Sequence, residues 1–173
     1  MASLMGLGMG LLLLDFISKA YIYYVLPFFQ LCAGSVCLQA PFFFSFGGVD
    51  FQITPTINRG AAWGLFADFQ FVLLAVRLVV ILGIFIYLFF MNRNRAYDLP
   101  LTLVCAGAIG NVLDFFLYGF VVDFLHFNLW GYHFPIFNFA DTFITVGVAA
   151  LFIINLVPKK DVRVKKNYSS ARF

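Results

Sequence analysis

A chain of 173 residues that is 63% apolar and only 11% charged departs far from the roughly 45–50% apolar, about 25% charged mix of soluble domains, so a water-soluble globule is excluded and the bilayer becomes the expected solvent. All eight acids are Asp, with no Glu, against eleven Lys and Arg. Six of those bases (Lys159, Lys160, Arg163, Lys165, Lys166 and Arg172) fall in the last segment, so the net charge of +3 describes a membrane-side tail rather than a nucleic-acid surface.

A span needs about 20 mostly apolar residues, and the first is Leu4–Leu26. Met1–Leu14 carries no Lys or Arg and no small-residue cleavage site follows the apolar run, so it reads as a permanent helix rather than a cleaved signal peptide. Inside it Asp15 and Lys19 stand four apart with the acid first, the favourable order for a helical pair. A charge in a span costs about 2.5–3.5 kcal/mol, so the two read as a self-neutralising pair facing the bundle.

Residues 27–68 follow as an outer segment. Val49-Asp50-Phe51-Gln52-Ile53 alternates apolar with polar after the turn signal Gly47-Gly48, and Pro55 and Gly60 break the pattern. This predicts a small antiparallel sheet on the membrane surface, with Phe42–Phe46 dipping into the interface. Cys32 and Cys37 have the spacing for a short bridged loop; the sequence leaves their pairing open.

The second span, Phe69–Met91, contains Arg77, to which the sequence assigns no sharp role. The third, Leu99–Phe120, carries Asn111 and Asp114 on one face, just after Gly107 and Gly110, with Cys105 as a buried thiol. Small residues there allow close helix contact, and the polar pair reads equally as packing glue or as the support of an active-site neighbour. The fourth span is Phe139–Val157. Bases cluster at Arg93, Arg95 and the tail, whereas the other two connections together hold only Arg59, so the positive-inside rule places both termini in the cytoplasm.

Asp123 and Asp141 then lie at one depth near the outer interface, where the third and fourth helices end and begin. Two carboxylates sharing a site hold one proton between them. The ionised member can take a proton from water while the protonated one donates, the chemistry of an aspartic protease. On spacing alone the same residues also read as helix caps, and the whole chain as a non-enzymatic four-span protein with buried structural charges. His126 and His133 have no metal-ligand spacing and lie at the start of and within an aromatic stretch, Phe127–Phe137, that reads as an interfacial belt. No nucleophile elbow, P-loop or dinucleotide fingerprint is present, so no metal or other cofactor is expected.

With these residues in hand, the sequence resembles the lipoprotein signal peptidase (signal peptidase II) family over nearly its whole length. The matching stretches are Asp15-x-x-Ser-Lys19, Asn58-Arg-Gly-Ala-Ala-Trp63, Gly110-Asn-Val-Leu-Asp114, Val121-Val-Asp123-Phe and Phe137-Asn-Phe-Ala-Asp141. The resemblance implies a mainly α membrane protein of four transmembrane helices with a small extracytoplasmic antiparallel β-sheet. It would be one peptidase domain over residues 1–173, with a β segment at 27–68 and a basic cytoplasmic tail at 159–173.

The implied activity is that of a monomeric aspartic endopeptidase in the bacterial inner membrane. It removes the signal peptide from diacylglyceryl-modified prolipoproteins just before the lipid-modified cysteine, works among membrane lipids, and is inhibited by globomycin. Asp123 and Asp141 become the catalytic dyad, and Asp15, Lys19, Asn58, Gly60, Asn111, Asp114 and Asn138 supporting positions. One departure stands out. The family usually has Arg after the acid matching Asp114, and this chain has Phe115; Arg59 is the replacement the sequence offers.

Overall fold

A computed structural model describes residues 2–25, 43–60 and 65–156. Cys32, Cys37, Phe42, the motif residues Ala61, Ala62 and Trp63, and the basic tail lie outside the described residues, so the expectations placed on them end there. Among the described residues, four helices are long and apolar enough to cross a membrane: Ser3–Val25, Ala67–Met91, Arg95–Tyr118 and Phe139–Leu156. They contain α1 (Ala2–Val25), α2 (Gln70–Ile86, continued by a π turn over Tyr87–Met91), α3 (Asp98–Tyr118) and α4 (Phe139–Leu156). These fall within a few residues of the four expected spans, because a long unbroken apolar run is the least ambiguous of sequence signals.

α3 is the centre of the bundle. Half of its apolar window is buried, against none of that of α2, and the reason lies in its small residues. A Cβ on Gly107 would run into the backbone oxygen of Ala140 on α4, and one on Gly110 would sit 2.5 Å from Asp15 Oδ2 on α1. Replacing either with a larger residue would push the helices apart, so these two positions set how closely three helices approach. Cys105 is a buried free thiol on the same helix. α3 stops at Gly119, whose left-handed backbone (φ 81°) lets its N–H reach back to Phe115 O.

Beyond the helix ends sits a four-stranded antiparallel sheet in the order β1 (Phe43–Phe46), β2 (Val49–Asn58), β3 (Val121–Leu129), β4 (Tyr132–His133). Two-residue turns close both hairpins, Gly47-Gly48 and Trp130-Gly131, all four with positive φ, the geometry that matches strand twist. The turns lie against each other. Trp130 N donates to Gly48 O at 2.8 Å, and a Cβ on Gly48 would meet the Trp130 ring at 2.6 Å.

Two expectations change here. The outer strand does not stop at Pro55. The register with β3 slips by one residue between Ile53 and Thr56, so the residue without an N–H is absorbed in a bulge and pairing resumes as far as Asn58. In addition, half of the sheet comes from residues 121–133, the stretch read as a helix end and an aromatic belt. Val121, Val122, Asp123 and Phe124 are all buried, which erases the alternation that would have announced a strand. The period of two survives in the packing. Val122 and Phe124 point into a core with Ile22 of α1, leaving Val121 and Asp123 on the opposite face.

Candidate active site

Asp123 is thus carried by a strand, not by a helix end as its position after the third span suggested. The bulge in β2 sets Asp123 opposite Thr56 and Val121 opposite Asn58, so Asn58 is the diagonal neighbour of Asp123. Its side chain donates to Asp123 Oδ2 at 2.8 Å, and Gly60 N donates to Asn58 Oδ1 at 2.9 Å. Without the slip, Asn58 would fall out of this register.

Asp141 is placed by local geometry. Asn138 precedes the first residue of α4, and Asp141 is the third residue of the helix. Asp141 N donates to Asn138 Oδ1 at 2.9 Å while Asn138 N donates to Asp141 Oδ2 at 3.3 Å. This reciprocal cap satisfies two backbone donors at once. The same Asn138 side chain donates to Asp123 Oδ1 at 2.7 Å. One fully buried residue therefore ties both carboxylates together, Asp123 through its side chain and Asp141 through its backbone N–H.

Behind them lies Lys19, which has no exposed surface. Its ammonium forms ion pairs with Asp15 Oδ2 at 2.7 Å and Asp114 Oδ2 at 3.0 Å and donates a hydrogen bond to Asn111 Oδ1 at 3.0 Å. Asp15 and Lys19 are therefore not the self-contained pair that their spacing suggested; a second acid from α3 shares the charge. Each acid has a further task. Asp15 Oδ1 accepts from Ala140 N, an unpaired donor of the first turn of α4, at 2.8 Å, and Asp114 Oδ2 accepts from Val122 N at 3.2 Å. Asn111 passes the arrangement forward, taking Lys19 on its oxygen and donating from Nδ2 to Asp141 Oδ1 at 2.8 Å. All nine expected site residues, drawn from α1, β2 and its following turn, α3, β3 and α4, are joined by one continuous set of polar contacts.

The two carboxylates are not equivalent. Asp123 is 2% exposed, whereas Asp141 borders a cavity of about 500 Å3 that is also lined by Asn58, Gly60, Asn111, Val121 and Thr142. Burial, reinforced by the charge of Asp141, pushes the Asp123 carboxyl up to about 7, against the opposing pull of the Asn58 and Asn138 amides and of Lys19. Asp123 therefore stays protonated to near neutrality and loses its proton as pH rises through about 7. Chemistry that needs a single proton on the pair should hold at pH 6 and decline above pH 7, by up to about tenfold per unit. A kcat/KM profile that keeps rising past pH 8 would contradict a proton held on Asp123.

One charged residue of the cavity had no assigned role in the sequence. Arg77 of α2 lines the cavity beside Asp141, and the signal available was the cost of an arginine within an apolar span. Arg59, the replacement the sequence offered at the Phe115 departure, is exposed and is not part of the lining. Phe115 packs edge-on against Phe71 of α2, ring centroids 5.8 Å apart.

The family model described as signal peptidase (SPase) II matches residues 7–157. The lipoprotein signal peptidase of Chlamydia pneumoniae is 42% identical over 124 residues, 70% of this chain and 74% of the relative. That of Chlamydia felis is 44% identical over 115 residues, 65% and 69% of the two chains. Two solved bacterial membrane enzymes, each 25% identical and aligned over 92% of this chain, superpose with TM-scores of 0.71 and 0.70, covering 94% and 96% of their own chains.

Proposed function

This chain belongs to the signal peptidase II family, a multi-pass bacterial membrane protease of prolipoproteins, and on that premise we propose that Asp123 and Asp141 hydrolyse the bond just before the lipid-modified cysteine. The observation that carries this reading is Asn138, whose side chain donates to the buried carboxylate of Asp123 and whose backbone N–H donates to the carboxylate of the cavity-lining Asp141.

In the proposed reaction Asp141, open to the cavity, takes a proton from water as the water oxygen attacks the scissile carbonyl carbon. Asp123 gives its proton to the carbonyl oxygen, leaving a neutral gem-diol. When the C–N bond breaks, the amine nitrogen takes the proton held by Asp141 and one gem-diol hydroxyl returns its proton to Asp123. The dyad is restored and no ion is required to activate water. Lys19, Asp15, Asp114, Asn111, Asn58 and Gly60 act by fixing the two carboxylates; they are positioning residues. The site works near the outer face of the inner membrane, with both termini in the cytoplasm, as the bases at Arg93, Arg95 and the tail require. A monomer suffices, since one chain supplies every group named.

The substrate is presented by its lipid. Two acyl chains on the cysteine side anchor it with about 0.8 kcal/mol per buried methylene, while the signal helix stays in the bilayer. The bond between them is then confined to the depth of the dyad, and a search in three dimensions becomes positioning. A globomycin-type inhibitor is expected to compete for the same cavity. Incubation of the purified chain with a diacylglyceryl prolipoprotein, followed by mass measurement of both products, tests the reading. The released peptide is expected to end at the residue before the cysteine, and the unlipidated precursor to be cut far more slowly. A cut elsewhere, or equal rates for the two forms, would overturn the cleavage site or the lipid dependence respectively.

A further inference from the structure

Arg77 is the charged group of the cavity that the dyad chemistry leaves unused. It is the sole charge in α2. Its Nη2 donates to Gly60 O over a long 3.3 Å, and both ion pairs among the described residues belong to Lys19. A guanidinium presents five N–H donors in a planar fork, so among the described residues most of that fork is unfilled. A cation kept inside an apolar span without a carboxylate partner is expensive, and such residues mark binding or transport sites by default. The cavity it lines is also lined by Asp141, Phe134, Pro135 and Ile136.

We propose that Arg77 is a substrate-binding residue whose N–H groups take carbonyl oxygens of the bound prolipoprotein, holding it in the cavity that Asp141 also lines. The inference rests on the peptidase reading above. A neutral acceptor fits better than an anion, because a phosphate in the same cavity would face the carboxylate of Asp141. Carbonyl oxygens arrive from two sources, the acyl esters of the diacylglyceryl group and the peptide backbone beside the cut. The cation thus enters the site from α2, while the α3 position after Asp114 is spent on the Phe71–Phe115 contact.

Steady-state cleavage by the parent chain, Arg77→Gln and Arg77→Lys separates these possibilities, using a diester prolipoprotein and its diether analogue in the same vesicles. Thermal unfolding of each variant is measured alongside. A hydrogen bond to a charged group contributes about 1.5–3 kcal/mol, so KM for the diester is expected to rise about 10- to 100-fold in Arg77→Gln with kcat nearly unchanged. That is the mark of lost binding common to ground and transition states. If the acyl esters are the ligand, the diether already shows the raised KM in the parent and Arg77→Gln adds nothing. If the backbone is the ligand, the rise is the same for both substrates.

An unchanged KM, or a loss confined to kcat, overturns the proposal. Arg77→Lys keeps a donor for Gly60 O but lacks the fork. It is expected to raise KM as well, and it decides the matter should Arg77→Gln fail to fold; a folded Arg77→Lys with the parent KM also overturns the proposal. A parent chain that leaves the lipidated diester uncut would overturn the peptidase reading instead.

Discussion

Asp141→Asn and Asp123→Asn are each expected to lower turnover about 100- to 10,000-fold, the usual contribution of one general acid or base. The substitution preserves shape while removing the ability to accept or hold the transferred proton. It is not silent structurally. Asp141 accepts from Asn111 Nδ2 and Asn138 N, and Asp123 accepts from Asn58 and Asn138, so an amide at either position turns one hydrogen bond into a donor–donor contact. The cost is about 1–3 kcal/mol, which the bundle is expected to survive. Turnover should therefore be measured on protein whose unfolding midpoint is recorded in the same detergent. A folded variant that keeps near-parental turnover would remove that carboxylate from the mechanism.

Lys19→Met is expected to be the most damaging change outside the dyad. It leaves Asp15 and Asp114, both about 1% exposed, without their shared counter-charge. Breaking a buried ion pair by removing one partner costs about 3–5 kcal/mol, a large part of the roughly 5–15 kcal/mol that holds a typical domain together. Activity should fall with stability, because Asn111, which donates to Asp141, loses the shorter of the two hydrogen bonds on its oxygen and keeps only the one from Asn138 Nδ2 at 3.2 Å. Combining Lys19→Met with Asp15→Asn and Asp114→Asn should recover part of the lost stability, since the uncompensated charges go too. It should recover little activity, as Asn111 still lacks its hydrogen bond from Lys19. A Lys19→Met protein as stable as its parent would show that the two acids are held neutral without the lysine.

Much of this was legible because it is local. The four spans follow from apolar runs that no other element explains. The spacing of Asp15 and Lys19 follows from the helical repeat, and Asn138 with Asp141 is an N-terminal cap written over four residues. The Gly47-Gly48 turn fixes the first hairpin by itself. Family motifs also named every member of the polar set, though not how its members touch.

What the tertiary structure decided is everything that depends on a partner far along the chain. Lys19 meets Asn111 across 92 residues and Asn58 meets Asp123 across 65, and no periodicity encodes a contact of that kind. Asp123 passed for a residue at a helix end because β3 is buried on both faces near its start, so its sequence lacks the polar alternation that marks a strand. Pro55 passed for a strand end because only the paired neighbour reveals a bulge. Arg77 was visible as an expensive charge, but a charge in a span does not say which way it faces. That direction, into the cavity beside Asp141, follows from how α2 packs against the bundle, and packing is a property of the folded chain alone.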